Sequence, residues 1–147
     1  EEHFDRQFDI NVRGLLFTTQ AIAPQMIAAG KGGKIINFSS QAGRRGEANV
    51  AIYCATKAAV ISLTQSMGLE LIKHRINVNA IAPGYMATDN TAALRADPER
   101  SRQIGERIPA GRWGTPDDAA AAAKFLIRDA HYCTGQVIRL DGGRLWT

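Results

Sequence analysis

The chain has 147 residues, 45% of them hydrophobic and 22% charged, with a formal net charge of +4. These values suit one globular domain and exclude a disordered or low-complexity chain. No apolar run approaches the ~20 residues of a membrane span, and the opening Glu1-Glu2-His3 starts no signal peptide, so a cytoplasmic protein without a membrane partner is expected.

Basic residues are scattered apart from Arg44-Arg45 and the Arg100/Arg102 pair, which gives no support for nucleic-acid binding. The two cysteines, Cys54 and Cys133, show neither metal-ligand spacing nor a disulfide framework, and no metal site is expected. From about residue 4 to residue 29, Phe4, Phe8, Val12, Leu15, Leu16, Ile22, Ala23, Met26 and Ile27 follow the helical period, which predicts one long amphipathic helix bent at Pro24. Asn11 lies on its apolar face, where a buried amide needs hydrogen-bond partners. Gly30-Lys31-Gly32-Gly33 then breaks the helix and leads into a near-continuous apolar strand, residues 34–39, of the kind covered on both faces in a parallel sheet.

A loop over residues 40–49 precedes a second long helix, about residues 50–73, whose Ala55, Ala58 and Ala59 permit close approach of another helix. Residues 75–82 read as the next strand, and Pro83-Gly84 as a turn whose backbone can approach a flat ring. Residues 89–109 read as a lid of two short helices, 90–96 and 99–107, with a stop at Asp97-Pro98. Thr115 and Pro116 start a further helix as N-cap and first residue, with Asp117-Asp118 in the first turn, and residues 136–140 form the last strand. Strands alternating with crossover-length helices imply a parallel α/β sheet with right-handed connections, whose ligands lie beyond the carboxyl ends of the strands. Ser40 and Pro83-Gly84 both fall at such ends.

Tyr53 and Lys57 are four residues apart, one helical turn on the same face. A tyrosine titrates at about 10 when unperturbed, and a cation within ~4–6 Å favours the phenolate, which makes the pair an acid/base device. Ser40, thirteen positions earlier, offers a hydroxyl to the same substrate oxygen. Taken alone, the spacing is equally that of an exposed Tyr/Lys pair on an ordinary helix, Asn11 that of a satisfied structural amide, and Thr88 that of an N-cap.

The serine at a strand end, Tyr53-Cys54-Ala55-Thr56-Lys57-Ala58-Ala59-Val60, Asn77-Val78-Asn79-Ala80-Ile81-Ala82-Pro83-Gly84, Thr88 and Asp141-Gly142-Gly143 together resemble the second half of the short-chain dehydrogenase/reductase family over essentially the whole chain. The resemblance implies an NAD- or NADP-dependent enzyme that moves a hydride between the cofactor and a carbinol or carbonyl carbon. It implies Tyr53 as general acid/base, Lys57 on its pKa and on the nicotinamide ribose, and Ser40 on the substrate oxygen. Asn11, in Asn11-Val12-Arg13-Gly14, becomes a proton-relay residue, and Pro83, Gly84, Met86 and Thr88 become nicotinamide contacts.

The implied fold is a Rossmann-like doubly wound parallel sheet of which only the carboxyl-terminal part, about three strands and the long helices, is present as a single domain over residues 1–147. The glycine-rich dinucleotide turn is absent: Gly30-Lys31-Gly32-Gly33 runs from helix to strand, the reverse of the required order. The region that chooses between NAD and NADP is missing with it, and the first strand is expected to show an unpaired apolar edge. Residues 39–60 resemble the family's bacterial sorbitol (polyol) dehydrogenases and residues 84–114 its 2-deoxy-D-gluconate dehydrogenases, so a small polyhydroxylated substrate is implied, a sugar acid slightly ahead with Arg95 or Arg112 on its carboxylate. The family also implies a dimer or tetramer paired through the two long helices. The alternative from a different class is a truncated, non-catalytic homologue that acts as an interaction module.

Overall fold

A computed structural model describes residues 1–144 of the protein. The chain enters through α1 (Glu2–Phe8), a π-helical turn (Asp9–Arg13) and α2 (Gly14–Ala29). It continues through β1 (Gly33–Phe38), a short 3-10 turn (Gln41–Gly43), α3 (Ala51–Leu71) and β2 (Ile76–Pro83). The lid helices α4 (Ala92–Ala96) and α5 (Pro98–Glu106), then α6 (Pro116–Arg128) and β3 (Val137–Leu140), complete the described residues.

The three strands are parallel in the order β1-β2-β3, with Gly33 opposite Ile76 and Ala80 opposite Val137. β2 is central because its side chains are apolar or amide-bearing on both faces, and Ile76, Val78, Ala80, Ile81 and Ala82 lose all solvent contact. On one face Ile76, Val78 and Met67 of α3 form a core with Leu15, Leu16, Met26 and Ile27 of α2. On the other, Ile81 packs with Leu126 and Ala122 of α6 and Ile138 of β3. Helices thus cover both faces of the sheet, as the run of apolar residues in β1 and β2 requires. Among the described residues β1 has a strand neighbour on one side only.

Asn77 and Asn79 point from β2 into this second layer without cost, because each donates its amide to the carbonyl of Cys133 at 2.9 Å, and Asn79 accepts from Gln136 N. They fasten the 131–136 turn that feeds β3. Asp97 caps α5 by accepting from Glu99 N and Arg100 N, so Asp97-Pro98 starts the second lid helix as well as ending the first. Thr115 caps α6 as expected, and Asp118 answers by accepting from Thr115 N at 2.8 Å.

The entry helix departs from its expectation in phase. Gly14 N donates to Asp9 O, five residues back, so the apolar stripe shifts at Asp9–Arg13, while α2 runs through Pro24 as continuous helix. Ile22, although it fits the helical period, is 46% exposed, and Phe17, off that stripe, is 57% exposed.

Candidate active site

Ser40 closes β1 in extended conformation and caps the Gln41–Gly43 turn, its hydroxyl accepting from Ala42 N at 3.2 Å. Its neighbour Ser39 is buried and spends its hydroxyl on the carbonyl of Lys57, at 2.8 Å. The two serines therefore divide the work: Ser39 ties the turn to α3, and half-buried Ser40 caps the turn. Gly43 makes the tie close, because a Cβ built there would lie 2.6 Å from Lys57 O and 2.9 Å from Ser39 Oγ.

Tyr53 stands on the first turn of α3 and Lys57 one turn further, with Nζ 5.7 Å from the phenol ring centroid. The ammonium donates to the carbonyl of Phe38, the last residue of β1, at 3.0 Å. Burial pushes the Lys57 ammonium below its ordinary value. A cation held by a strand-end carbonyl and beside a phenol suits proton exchange at a substrate oxygen.

Asn11 sits in the π-helical turn and donates both amide hydrogens, to Gln7 Oε1 and to Thr56 Oγ1, each at 3.1 Å. It shares a groove of about 390 Å³ with Lys57, walled by Ile35, Ile36 and Phe38 along β1. The satisfied-amide and relay readings of Asn11 thus coexist: its donors are used, and it still lines the space beside Lys57.

At the end of β2, Gly84 N donates to Leu140 O, and a Cβ on Gly84 would come 2.9 Å from Asp141 Cα. That crossing leaves room for no larger residue. Met86 forms a single parallel bridge to Gly114. Thr88 begins the short turn Asp89–Thr91, its N–H donating to Thr91 Oγ1 at 3.1 Å and its carbonyl accepting from Arg95 at 3.1 Å. Pro83 consequently ends β2 and Gly84, Met86 and Thr88 lie on the loop after it, while Ser40 follows β1 and Lys57, one turn after Tyr53 on α3, reaches the end of β1. The side chain of buried Gln41 spans the interval, with Oε1 3.2 Å from the Cβ position of Gly84.

A second cavity, of about 310 Å³, lies between Tyr85, Met86, Arg112 and Gly142-Gly143, and its walls include none of Ser40, Tyr53 and Lys57. Arg112 is committed there to both carboxylate oxygens of Asp118, at 2.7 and 3.0 Å. The pair holds the Asp118 carboxyl well below the usual range. Sequence reasoning missed Thr56, which is fully buried, and the Gln41–Glu47 contact at 3.1 Å. A polar residue on the inward face of an alanine-rich helix was the available signal for Thr56.

Gly30 and Gly32, with φ of 65° and 71°, end α2 and turn into β1. Neither opens a helix onto a phosphate, so the described residues contain no glycine-rich strand-to-helix turn for a pyrophosphate.

A family model described as "Enoyl-(Acyl carrier protein) reductase" matches residues 1–144. The chain is 55% identical to sorbitol dehydrogenase of Cereibacter sphaeroides, covering 97% of this chain and 59% of that protein. It is 48% identical to 2-dehydro-3-deoxy-D-gluconate 5-dehydrogenase of Dickeya dadantii, covering 99% of this chain and 58% of that one. Among solved structures it superposes with TM-score 0.94, at 36% identity, on a gluconate 5-dehydrogenase from Burkholderia cenocepacia in complex with NADP and tartrate, over 100% of this chain and 58% of that structure. The chain therefore spans a little under three fifths of the length of the relatives it matches. With a matching family model over nearly its whole length and relatives of this kind at 48–55% identity, the chain belongs to the short-chain dehydrogenase/reductase family.

Proposed function

We propose that residues 1–147 form the carboxyl-terminal part of a single-domain, NAD- or NADP-dependent oxidoreductase that interconverts a secondary alcohol and a ketone on a sugar acid or polyol. The observation that carries this reading is the Lys57 ammonium, 5.7 Å from the Tyr53 ring, partly desolvated and anchored on the Phe38 carbonyl at the end of β1, two residues before Ser40. The cofactor, when bound, accepts or supplies the hydride.

The chain's own residues manage the proton and the geometry. Tyr53 takes the hydroxyl proton in oxidation and returns it in reduction. Lys57 favours the phenolate and binds the ribose hydroxyls, Ser40 orients the substrate oxygen, and Asn11 connects the Lys57 side to solvent. Pro83, Gly84, Met86 and Thr88 flank the nicotinamide.

On substrate, the relatives named above support a polyhydroxylated carbon chain, from sorbitol to gluconate derivatives. Arg112 is already engaged by Asp118, so Arg95, which gives one hydrogen bond to the Thr88 carbonyl, is the better placed arginine for a carboxylate. The reading extends to a cytoplasmic homodimer or homotetramer serving carbohydrate metabolism. The exposed apolar side chains Phe17, Ile22 and Leu69 on the two long helices support such pairing, and they equally favour a second reading in which the chain is a non-catalytic interaction module.

The test is turnover by the full-length protein on sorbitol, galactitol and 2-deoxy-gluconate, followed through nicotinamide absorbance, with Tyr53→Phe beside the wild type. Loss of nearly all turnover with an unchanged unfolding midpoint is expected. Full activity of the Phe variant would refute the assignment of Tyr53. A protein that binds no nicotinamide cofactor and co-purifies with an intact dehydrogenase would favour the interaction module instead.

A further inference from the structure

Thr56 lies between the two residues that carry the chemistry, on the inward side of α3, where it has no exposed surface. Its hydroxyl has one hydrogen to give and gives it to the carbonyl of Tyr53, at 2.8 Å. The same oxygen accepts from Asn11 Nδ2 at 3.1 Å. With Gln7 Oε1 taking the other contact from that amide nitrogen, also at 3.1 Å, both donors of Asn11 are spoken for by residues outside the groove it shares with Lys57. The amide orientation is set by Thr56, because exchanging the oxygen and nitrogen of Asn11 would bring Oδ1 against a hydroxyl oxygen whose one hydrogen is already given to the Tyr53 carbonyl. Its carbonyl oxygen is left as the uncommitted acceptor.

We propose that Thr56 is a positioning residue for the reaction: its hydroxyl couples the backbone of the Tyr53 turn to the Asn11 amide, and so holds Asn11 in one orientation beside Lys57. The inference rests on the proposed oxidoreductase reading and adds to it a residue that reaches neither substrate nor cofactor. A threonine suits the task because hydrogen bonding from Oγ to a carbonyl one turn back locks its χ1 within a helix, which fixes the lone pair that Asn11 uses. Serine keeps the hydroxyl. Valine keeps the shape and loses both bonds, leaving an amide hydrogen of Asn11 unpaired in a half-buried position and its orientation free.

The experiment compares Thr56→Val and Thr56→Ser in the full-length protein, by the pH profile of kcat, by KM, and by solvent exchange of the Asn11 side-chain amide protons. Thr56→Val is expected to lower kcat by roughly ten- to a hundredfold with KM little changed, as displacement of a group in the reacting constellation does. It should also move the ionising limb of the profile to higher pH and speed Asn11 amide exchange, while Thr56→Ser stays near wild type in all three. If Thr56→Val does not fold, Gln7→Leu, which removes the other anchor of the same amide, carries the test and should move the profile in the same direction. An unmoved profile in a folded Thr56→Val or in Gln7→Leu, or equal losses in the Ser and Val variants, overturns the proposal. A wild type without cofactor binding or turnover instead overturns the oxidoreductase reading, and the role of Thr56 with it, and is recognised before any variant is made.

Discussion

Replacing Gly43 by alanine tests whether the serine turn is placed by contact with α3. The added methyl group would stand 2.6 Å from the Lys57 carbonyl oxygen, 2.7 Å from its carbon and 2.9 Å from Ser39 Oγ. Ordinary van der Waals contact begins at about 3.4 Å, so the turn must retreat by most of an ångström from backbone atoms that cannot swing aside. Overpacking of this kind costs about 1–3 kcal/mol of stability. The retreat also moves Ser40, which caps the same turn, relative to α3, and a displacement near 1 Å in a reacting constellation is worth on the order of a hundredfold in rate. Gly46 is the internal control, since a Cβ there meets nothing within 4 Å. Thermal unfolding and kcat of Gly43→Ala and Gly46→Ala in the full-length protein provide the assay. The expected result is a lower midpoint and a collapsed kcat for the first and wild-type values for the second. A Gly43→Ala protein with wild-type kcat would show that the turn is not set by this contact.

Leu126, 1% exposed at the centre of the α6 layer, should cost about 2–5 kcal/mol when cut to alanine, read by denaturant unfolding. Thr115→Ala removes the α6 cap and should lower stability by ~1 kcal/mol in the same assay. Asp118 is held below the usual carboxylate range by Arg112, then by Thr115, so its stabilising contribution is present above about pH 4, its unfolded-state range, and is lost as pH falls through the lower folded value. The unfolding midpoints of wild type and Asp118→Asn should consequently differ at neutral pH and converge in strong acid; a constant gap would contradict the ion pair. Arg95→Ala should raise KM for a deoxy-gluconate substrate and leave KM for sorbitol unchanged, if an arginine on the lid reads the carboxylate.

Much of this molecule was legible because its signals are local. A run such as Ile35-Ile36-Asn37-Phe38 between glycines and serines is a strand in almost any context, and Thr115-Pro116 is a helix start by its own capping chemistry. The spacing of Tyr53 and Lys57 survives translation into structure because an α-helix converts sequence distance into a fixed geometry. Contacts that join distant segments were not legible. Thr56 and Asn11 are 45 residues apart, and Asn77 and Cys133, joined through the Cys133 carbonyl, are 56 apart. The exposure of Ile22 was equally hidden, since periodicity reports which residues share a stripe and not how wide a neighbour will cover it.

The π-helical turn at Asp9–Arg13 amounts to one residue more than a regular helix would need, and that surplus sets the rotational phase of everything before it. Removing a residue from the turn would restore the ordinary ladder and swing α1 by about 100° relative to α2. The stacked rings of Phe4 and Phe8, 4.5 Å apart, would then face a different direction, and Asn11 would turn away from α3. Length variation among natural sequences in this stretch should accordingly be rarer than substitution: the helix can exchange side chains freely there, but it cannot lose count.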